Sequence, residues 1–177
     1  TTTATLLYLM VRRLGFRSGL LSTVRNYIDD LAIEATHTTP DAVQINKLLN
    51  DMVNAGCEYC FMEVSSHAID QERVSGLHFA GGLFTNITHD HLDYHKTFAE
   101  YIKAKKKFFD ELPAGSFALV NADDKNSGVM VQNTKARTQT FALQSVADFK
   151  VKIIESHFDG SMLSFENREE WNFYVGR

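Results

Sequence analysis

Cysteine is scarce in this sequence, which contains only two such residues among 177. Both lie in one short segment, Cys57-Glu58-Tyr59-Cys60. A zinc site built on this pair would require a second ligand pair at suitable spacing, which the sequence lacks. We therefore interpret both residues as structural thiols in a reducing compartment.

Long apolar runs and an excess of charge of one sign are also missing. No apolar run approaches the roughly 18 residues that a membrane-spanning helix needs. The apolar segment 4–11 is followed rather than preceded by Arg12 and Arg13, the wrong order for a secretory signal. The formal net charge of −4 gives no general attraction for nucleic acid or an anionic membrane, so a phosphate ligand must be bound locally. We expect a cytoplasmic protein that binds neither nucleic acid nor membranes.

The pattern of apolar residues that is present predicts an α/β protein. The length suffices for one domain with a hydrophobic core. Helical spacing alternates along the chain with short apolar runs that are typical of strands. This alternation indicates a doubly wound, mainly parallel sheet. The predicted helices cover 3–14, 41–53, 66–74, 97–108 and 123–132, and the predicted strands cover 18–23, 59–64, 79–87, 116–120 and 138–143.

The C-terminal part changes to an antiparallel pattern. Segments 150–155 and 161–165 flank the turn sequence His157-Phe158-Asp159-Gly160. An Asp-Gly turn between two such segments predicts a β-hairpin, so we expect an antiparallel hairpin as an appendage of the α/β core. The sequence starts without methionine and ends without a polar tail, and we expect residues 1–177 to be a single domain of a longer protein.

Unusual polar residues follow predicted strands or open predicted helices, and in an open α/β sheet the strand ends border the ligand crevice. Thr1, Thr2 and Thr3 open the first helix, where threonine hydroxyls can cap free amides. In a phosphate-binding loop, a threonine at such a position instead binds Mg²⁺.

Glu63 ends an apolar strand, where a carboxylate is costly without a partner. Glu63 is either a hard oxygen ligand for Mg²⁺ or a charged side chain that is solvated in the loop.

The densest polar segment is 85–95, which holds three of the seven histidines, His89, His91 and His95, with aspartates between them. Metal ligation and phosphate contact are candidate roles. Solvated loop residues are the alternative. A zinc hydrolase built on this segment would need distant ligands, for which Glu63 and His67 are available.

Four of the five residues in 103–107 are lysines, a composition that usually marks a solvated helix face. Helical spacing nevertheless places Lys105 on the apolar side, in register with Tyr101 and Phe108. A lysine that faces a core needs a partner or a chemical change. For Lys106 and Lys107 we expect ordinary solvated side chains.

Taken together, these motifs resemble the Mur ligase family, and within it the ligases that form UDP-N-acetylmuramyl-tripeptide. No single motif is specific, but the set occurs in the order that the family has. The matching segments are Thr1-Thr2-Thr3, Thr38-Thr39, Glu63-Val64-Ser65-Ser66-His67 with Gln71 and Arg73, 85–95, Tyr101 to Lys105, and Asn121-Ala122-Asp123-Asp124.

The resemblance implies the P-loop NTPase-like middle domain of an ATP-dependent, ADP-forming ligase. ATP would phosphorylate a substrate carboxylate, and an incoming amine would attack the resulting acyl phosphate. The implied substrates are UDP-N-acetylmuramoyl-L-alanyl-D-glutamate and a free amino acid, diaminopimelate or lysine, in peptidoglycan precursor synthesis. The implied cofactors are ATP and Mg²⁺, and we expect a monomer. The Gly-rich loop with its lysine and the flanking domains are outside this sequence, so we expect the isolated chain to be inactive.

The resemblance also implies roles for individual residues. Thr1 and Glu63 match ligands of one Mg²⁺, and His91 matches a ligand of a second. Lys105 matches a carbamylated lysine, whose anionic oxygens can hold the second metal ion. The implied catalytic residues are therefore Glu63, His91 and Lys105. The implied nucleotide contacts are Thr1, Thr2 and Asn121, and the implied UDP-muramyl-peptide contacts are Thr38, Thr39, Ser65, Gln71 and Arg73.

Three alternatives remain at this point. The first is another amide ligase of the same superfamily, such as a folylpolyglutamate or cyanophycin synthetase. The second is a metal-dependent hydrolase that uses the His89–His95 segment, and the third is a nucleotide-binding module without catalysis. A hydrolase should retain tightly bound zinc, whereas a ligase should prefer exchangeable Mg²⁺.

Overall fold

A computed structural model of the chain describes residues 1–88, 92–167 and 169–176. The chain forms two compact units, Thr1–Leu77 and His78–Arg177. Helices and strands alternate along much of the chain, which confirms the predicted α/β fold class. The expectation that residues 1–177 form a single domain stays a prediction. In the part of the chain that the structure describes, no helix is long and apolar enough to cross a membrane.

The first unit contains a four-stranded mixed sheet. Its order is β3-β2-β1-β4, in which β1 and β4 are parallel and the other pairs are antiparallel. The β2–β3 hairpin was not predicted from the sequence. The elements are α1 (Thr2–Arg13), β1 (Ser18–Leu21), β2 (Arg25–Ile28), β3 (Leu31–Glu34), α2 (Ala42–Asn54), β4 (Tyr59–Met62) and α3 (Ser66–Asp70).

Local capping and one apolar face explain why α2 forms where the sequence predicts it. The Asp41 side chain accepts a hydrogen bond from the Gln44 amide at 2.9 Å, which satisfies a free donor of the first turn. Ile45, Leu48 and Met52 recur at helical spacing and are all buried. The helix is therefore fixed both at its start and along its length.

The second unit contains a six-stranded sheet in the order β10-β9-β8-β7-β6-β5. Strands β5 to β8 are parallel, and β8, β9 and β10 are antiparallel. The predicted C-terminal hairpin is confirmed as β8 and β9, and β10 extends it by a strand that was not predicted. The elements are β5 (Gly81–Phe84), α4 (Leu92–His95), α5 (Phe98–Asp110), β6 (Phe117–Asn121), α6 (Ser127–Met130), β7 (Arg137–Ala142), β8 (Phe149–Ser156), β9 (Gly160–Asn167) and β10 (Glu169–Gly176).

Helix α5 packs closely on the parallel part of this sheet. Phe109 and Leu112 lie in one apolar core with residues of β5 and β6. A Cβ atom on Gly82 would lie 2.7 Å from Phe108 Cε1 and 3.1 Å from Phe109 Cε1. The missing side chain of Gly82 therefore lets the aromatic face of α5 approach β5.

Helix α6 is shorter than the predicted helix 123–132. The Asp124 side chain accepts hydrogen bonds from the Asn126 amide at 2.8 Å and from the Ile87 amide at 2.9 Å. Such local side-chain bonds hold the backbone in a turn and compete with helix formation. The helix consequently starts only at Ser127.

Candidate functional site

Glu63 follows β4 directly, and the structure surrounds its carboxylate with hydrogen-bond donors. The Thr1 hydroxyl donates to Oε2 at 3.1 Å. Thr23 donates its backbone amide to Oε1 and its hydroxyl to Oε2, each at 3.1 Å. The Glu63 side chain is only 16% exposed, so these donors replace most of its hydration.

The balance of burial and donors sets the pKa of Glu63. Burial alone would raise the pKa of the Glu63 carboxyl, but the pKa is lowered, and the hydrogen bonds from the Thr23 amide and the Thr1 hydroxyl are among the causes. Glu63 is therefore ionised at neutral pH. A carboxylate beside a hydroxyl oxygen is a donor set that fits Mg²⁺, which prefers hard oxygen ligands.

The predicted capping role of the first threonines is wrong for Thr1. Thr1 occupies the N-cap position of α1, but its side chain makes no capping hydrogen bond. Its hydroxyl instead donates to Glu63. Thr2 is exposed at the first helical residue. The hydrogen bond to the Glu63 carboxylate therefore explains the position of the Thr1 side chain, and helix capping does not.

Thr39 connects the chain around Glu63 to a second group of predicted site residues. Its hydroxyl donates to the Glu63 carbonyl at 2.8 Å and accepts from the Ser65 amide at 3.0 Å. The Ser65 hydroxyl accepts from the Ala68 amide at 3.2 Å and so caps α3. The Thr38 hydroxyl is hydrogen-bonded to that of Thr23 at 3.1 Å.

Arg73 is held in place by two acceptors. Its Nε and Nη2 both donate to Gln71 Oε1, at 2.9 and 2.5 Å, and its Nη1 donates to the Thr39 carbonyl at 2.9 Å. The guanidinium is therefore fixed before any ligand binds. Its partly exposed position leaves further N–H groups for an anionic ligand.

The structure thus joins all but one of the predicted site residues of the first unit in a single hydrogen-bonded network; the exception is Thr2. Thr23 was not predicted from the sequence, although it meets the criterion that singles out Glu63. Thr23 comes two residues after β1, as a polar side chain at a strand end. The network contains Thr1, Thr23, Thr38, Thr39, Glu63, Ser65, Gln71 and Arg73.

In the second unit, Lys105 lies on the side of α5 that the spacing predicts. Its Nζ is 5.5 Å from the centroid of the Tyr101 ring, and burial lowers its pKa. A lowered pKa increases the neutral fraction of the amine.

The expected solvation of Lys106 is wrong, because its side chain is only 13% exposed and contacts both carboxylate oxygens of Asp110 at 2.6 and 2.7 Å.

Asn121 ends β6 and is already bonded through both ends of its amide. Its Nδ2 donates to the Thr85 carbonyl at 2.8 Å, and its Oδ1 accepts from the Asp123 amide at 3.0 Å. Asn121 therefore ties the loop after β5 to the turn after β6. An amide has a second N–H and a second lone pair for a ligand.

The histidine segment is only partly described. His89 and His91 lie outside the described residues, so the predicted metal role of His91 stays a prediction. His95 is buried and stacks on Tyr101, with 5.3 Å between ring centroids. Among the residues that the structure does describe, no three His, Cys, Asp or Glu side chains form a group that could hold a metal ion. Cys57 and Cys60 are free thiols.

Comparison with known proteins identifies the family. A family model described as the Mur ligase middle domain matches residues 1–175. The chain is 61% identical over 176 residues to the UDP-N-acetylmuramoyl-L-alanyl-D-glutamate–2,6-diaminopimelate ligase of Cytophaga hutchinsonii, and the match covers 99% of the chain and 36% of that protein. It is 62% identical over 177 residues to the ligase of the same name from Parabacteroides distasonis, with 100% and 36% coverage.

A solved structure supports the same assignment. The structure of a UDP-N-acetylmuramoyl-L-alanyl-D-glutamate–2,6-diaminopimelate ligase superposes with a TM-score of 0.85 at 25% identity, and the match covers 99% of this chain and 36% of that one. The chain thus spans about a third of the length of the relatives it matches. The match over nearly every residue establishes that the chain belongs to the Mur ligase family, within its middle domain.

Proposed function

We propose that the chain is the ATP-handling middle domain of a ligase that joins diaminopimelate to UDP-N-acetylmuramoyl-L-alanyl-D-glutamate in peptidoglycan precursor synthesis. The reaction would consume ATP and release ADP and phosphate through an acyl phosphate. The observation that carries the proposal is the single network that links Glu63 to Thr39 and Arg73. Identity above 60% to ligases of that name supports diaminopimelate rather than lysine.

Thr1 and Glu63 are the residues that would hold one Mg²⁺. Their side-chain oxygens are hydrogen-bonded at 3.1 Å, and the lowered pKa keeps Glu63 anionic. When bound there, Mg²⁺ would neutralise negative charge that develops on the transferred phosphoryl group. Thr23 would fix the orientation of the Glu63 carboxylate through its two hydrogen bonds.

The residues around Arg73 would bind the acidic muramyl-peptide. The Ser65 hydroxyl accepts from the Ala68 amide, which leaves its proton for an acceptor on the ligand. The two terminal nitrogens of Arg73 each carry a further N–H beyond the bonds to Gln71 and Thr39. A site that presents hydrogen-bond donors suits a carboxylate or phosphate and disfavours an amine. Thr38 would contact the same substrate.

Lys105 would act as a carbamate. A carbamate forms from a neutral amine and CO₂, and burial lowers the pKa of Lys105 towards that form. Carbamylation would also replace a cation, which is costly to desolvate, with an anion able to bind a second Mg²⁺ together with His91. Asn121 and Thr2 would contact the nucleotide, with Asn121 at the base.

A test requires the purified full-length protein, ATP, Mg²⁺ and both acceptor substrates. We expect ADP formation that depends on UDP-N-acetylmuramoyl-L-alanyl-D-glutamate and on diaminopimelate, with lysine a poor substitute. The variant Glu63→Ala should lose turnover by about 100-fold or more while it still folds. Arg73→Ala should raise the KM for the muramyl-peptide far more than the KM for ATP.

Three results would contradict the proposal. ADP formation that ignores the muramyl-peptide would point to a nucleotide-binding module or another amide ligase. Normal turnover of Glu63→Ala at saturating Mg²⁺ would exclude its metal-binding role. Tightly retained zinc with hydrolytic activity would favour the hydrolase alternative.

A further inference from the structure

Asp123 holds the loop after β7 through its carboxylate. Its Oδ2 accepts from the Leu143 amide at 2.7 Å, and its Oδ1 accepts from the Ser145 amide at 2.7 Å. The Gln144 amide between them donates to the same carboxylate at 3.1 Å. One side chain thus satisfies three successive backbone donors of a loop that lies about 20 residues further along the chain.

The same residue is bonded to Asn121. The Asp123 amide donates to Asn121 Oδ1 at 3.0 Å, so the two side chains belong to one turn. Strands β6 and β7 are parallel with Asn121 paired to Phe141, and the Ala122 amide donates to the Phe141 carbonyl at 2.8 Å. The turn after β6 and the loop after β7 therefore leave the sheet side by side, at the strand ends where α/β sheets bind ligands.

We propose that Asp123 is a positioning residue that fixes residues 143–146 beside Asn121, so that these four residues form one wall of the nucleotide-base site. The inference rests on the proposed nucleotide contact of Asn121. It adds an element to that site, because neither the loop nor Asp123 has a role in the function proposed above.

The composition of the loop suits such a wall. Leu143 is 53% exposed and Val146 is 94% exposed, so both present apolar surface to solvent. The faces of a purine ring are largely apolar, and covering them with aliphatic side chains is favourable. The edge of the base would meet the Asn121 amide, which can donate and accept at once. Because the wall and the Asn121 amide are both held in place, the site can distinguish one base from another.

The negative charge of Asp123 makes its hydrogen bonds to the loop stronger than those of a neutral acceptor. The amides of Leu143 and Ser145 are the largest causes of a pKa well below the usual range for an aspartate. Asp123 is consequently ionised at neutral pH, and hydrogen bonds to an ionised acceptor are stronger than neutral ones.

Asp148 supplies a matched control at the other end of the same loop. Its carboxylate accepts from the amide and the hydroxyl of Thr140, both at 2.8 Å. Like Asp123 it is an exposed aspartate whose carboxylate accepts hydrogen bonds, but its donors belong to Thr140 of β7 rather than to the loop residues that Asp123 holds. A general loosening of the loop should affect both variants alike.

The experiment compares Asp123→Asn and Asp148→Asn with the wild-type full-length protein in two measurements. The first is hydrogen exchange of the amides of Leu143, Gln144 and Ser145, which does not depend on turnover. The second is steady-state kinetics with ATP, GTP and the muramyl-peptide. We expect Asp123→Asn to lose amide protection, to raise the KM for ATP about tenfold and to reduce the preference for ATP over GTP. The KM for the muramyl-peptide and the Asp148→Asn kinetics should stay within about twofold of wild type.

Each other outcome overturns a defined part of the inference. Unchanged exchange in Asp123→Asn contradicts its positioning role. Altered exchange in Asp123→Asn with an unchanged KM for ATP contradicts the base wall. Equal changes in the KM values for ATP and the muramyl-peptide also contradict it. So do equal effects of Asp123→Asn and Asp148→Asn on the KM for ATP. A wild-type protein without ligase activity refutes the proposed function instead, and the exchange measurement then still decides whether Asp123 positions the loop.

Discussion

Thr23 donates its backbone amide to one oxygen of the Glu63 carboxylate and its hydroxyl to the other, each at 3.1 Å. The Thr23 hydroxyl oxygen also lies 3.1 Å from that of Thr38. One threonine thus lies between the proposed metal ligand and a proposed contact of the muramyl-peptide. Because a hydroxyl has a single proton, a change in either neighbour alters the bond that Thr23 makes to the other.

This relationship predicts that Thr23→Val lowers turnover. Valine keeps the backbone amide bond to Glu63 Oε1 and the volume of the side chain, but removes the hydroxyl donor to Oε2. Loss of a hydrogen bond to a charged group costs about 1.5–3 kcal/mol, so we expect kcat to fall about 10- to 100-fold and the Mg²⁺ requirement to rise. Kinetics at several Mg²⁺ concentrations check this, with Thr23→Ser as the control that retains the hydroxyl. Equal activity of the valine and serine variants would contradict the prediction.

Adjacent lysines on α5 give a second prediction. Lys105→Ala should abolish most turnover because it removes the proposed carbamate, and short carboxylic acids in the buffer should restore part of it. Lys106→Ala should keep turnover and lose the ion pair with Asp110, at a cost of about 0.3–1 kcal/mol of stability. Incubation with ¹³C-bicarbonate should give a carbamate carbon signal in wild type and in Lys106→Ala. Its presence in Lys105→Ala, or normal turnover of that variant, would refute the assignment.

Sequence patterns sufficed for the elements that have strong local signals. The helix that starts after Thr97 has a side-chain cap, the Thr97 hydroxyl, which accepts from the Glu100 amide at 3.2 Å. It also has an apolar face at regular spacing, on which Lys105 was correctly placed. The hairpin of β8 and β9 was predicted by its Asp-Gly turn. In each case the signal lies within about a dozen neighbouring residues, where sequence patterns are informative.

Elements that depend on distant contacts were missed. The β2–β3 hairpin has strands of four residues and turns at Asp29, which adopts a positive φ of 51° without being glycine. Arg12 of α1 stabilises that turn through contacts with Asp29 and Asp30. The role of Thr23 was missed although its place at a strand end was visible in the sequence, because no local pattern encodes its pairing with Glu63, 40 residues away.

The pKa of Asp123 predicts how stability depends on pH. A carboxyl group whose folded-state pKa is lowered adds stability above its unfolded-state pKa, and this stability is lost as the pH falls towards the folded-state value. We expect the difference in Tm between wild type and Asp123→Asn to be largest at neutral pH and to shrink below pH ~4. Thermal unfolding across this range tests it. A difference that grows on acidification would contradict the lowered pKa.

The close contact of α5 with β5 gives the last prediction. Gly82→Ala should lower the free energy of unfolding by about 1–3 kcal/mol, because the new methyl group would meet two aromatic rings in a packed core. Gly128→Ala is the matched control, since a Cβ atom on Gly128 would meet nothing within 4 Å and the residue is exposed in α6. There the alanine should raise stability by up to about 1 kcal/mol through its higher helix propensity. Thermal and urea unfolding of both variants measures the two effects, and a stabilising Gly82→Ala would show that α5 can move away from β5 at no cost.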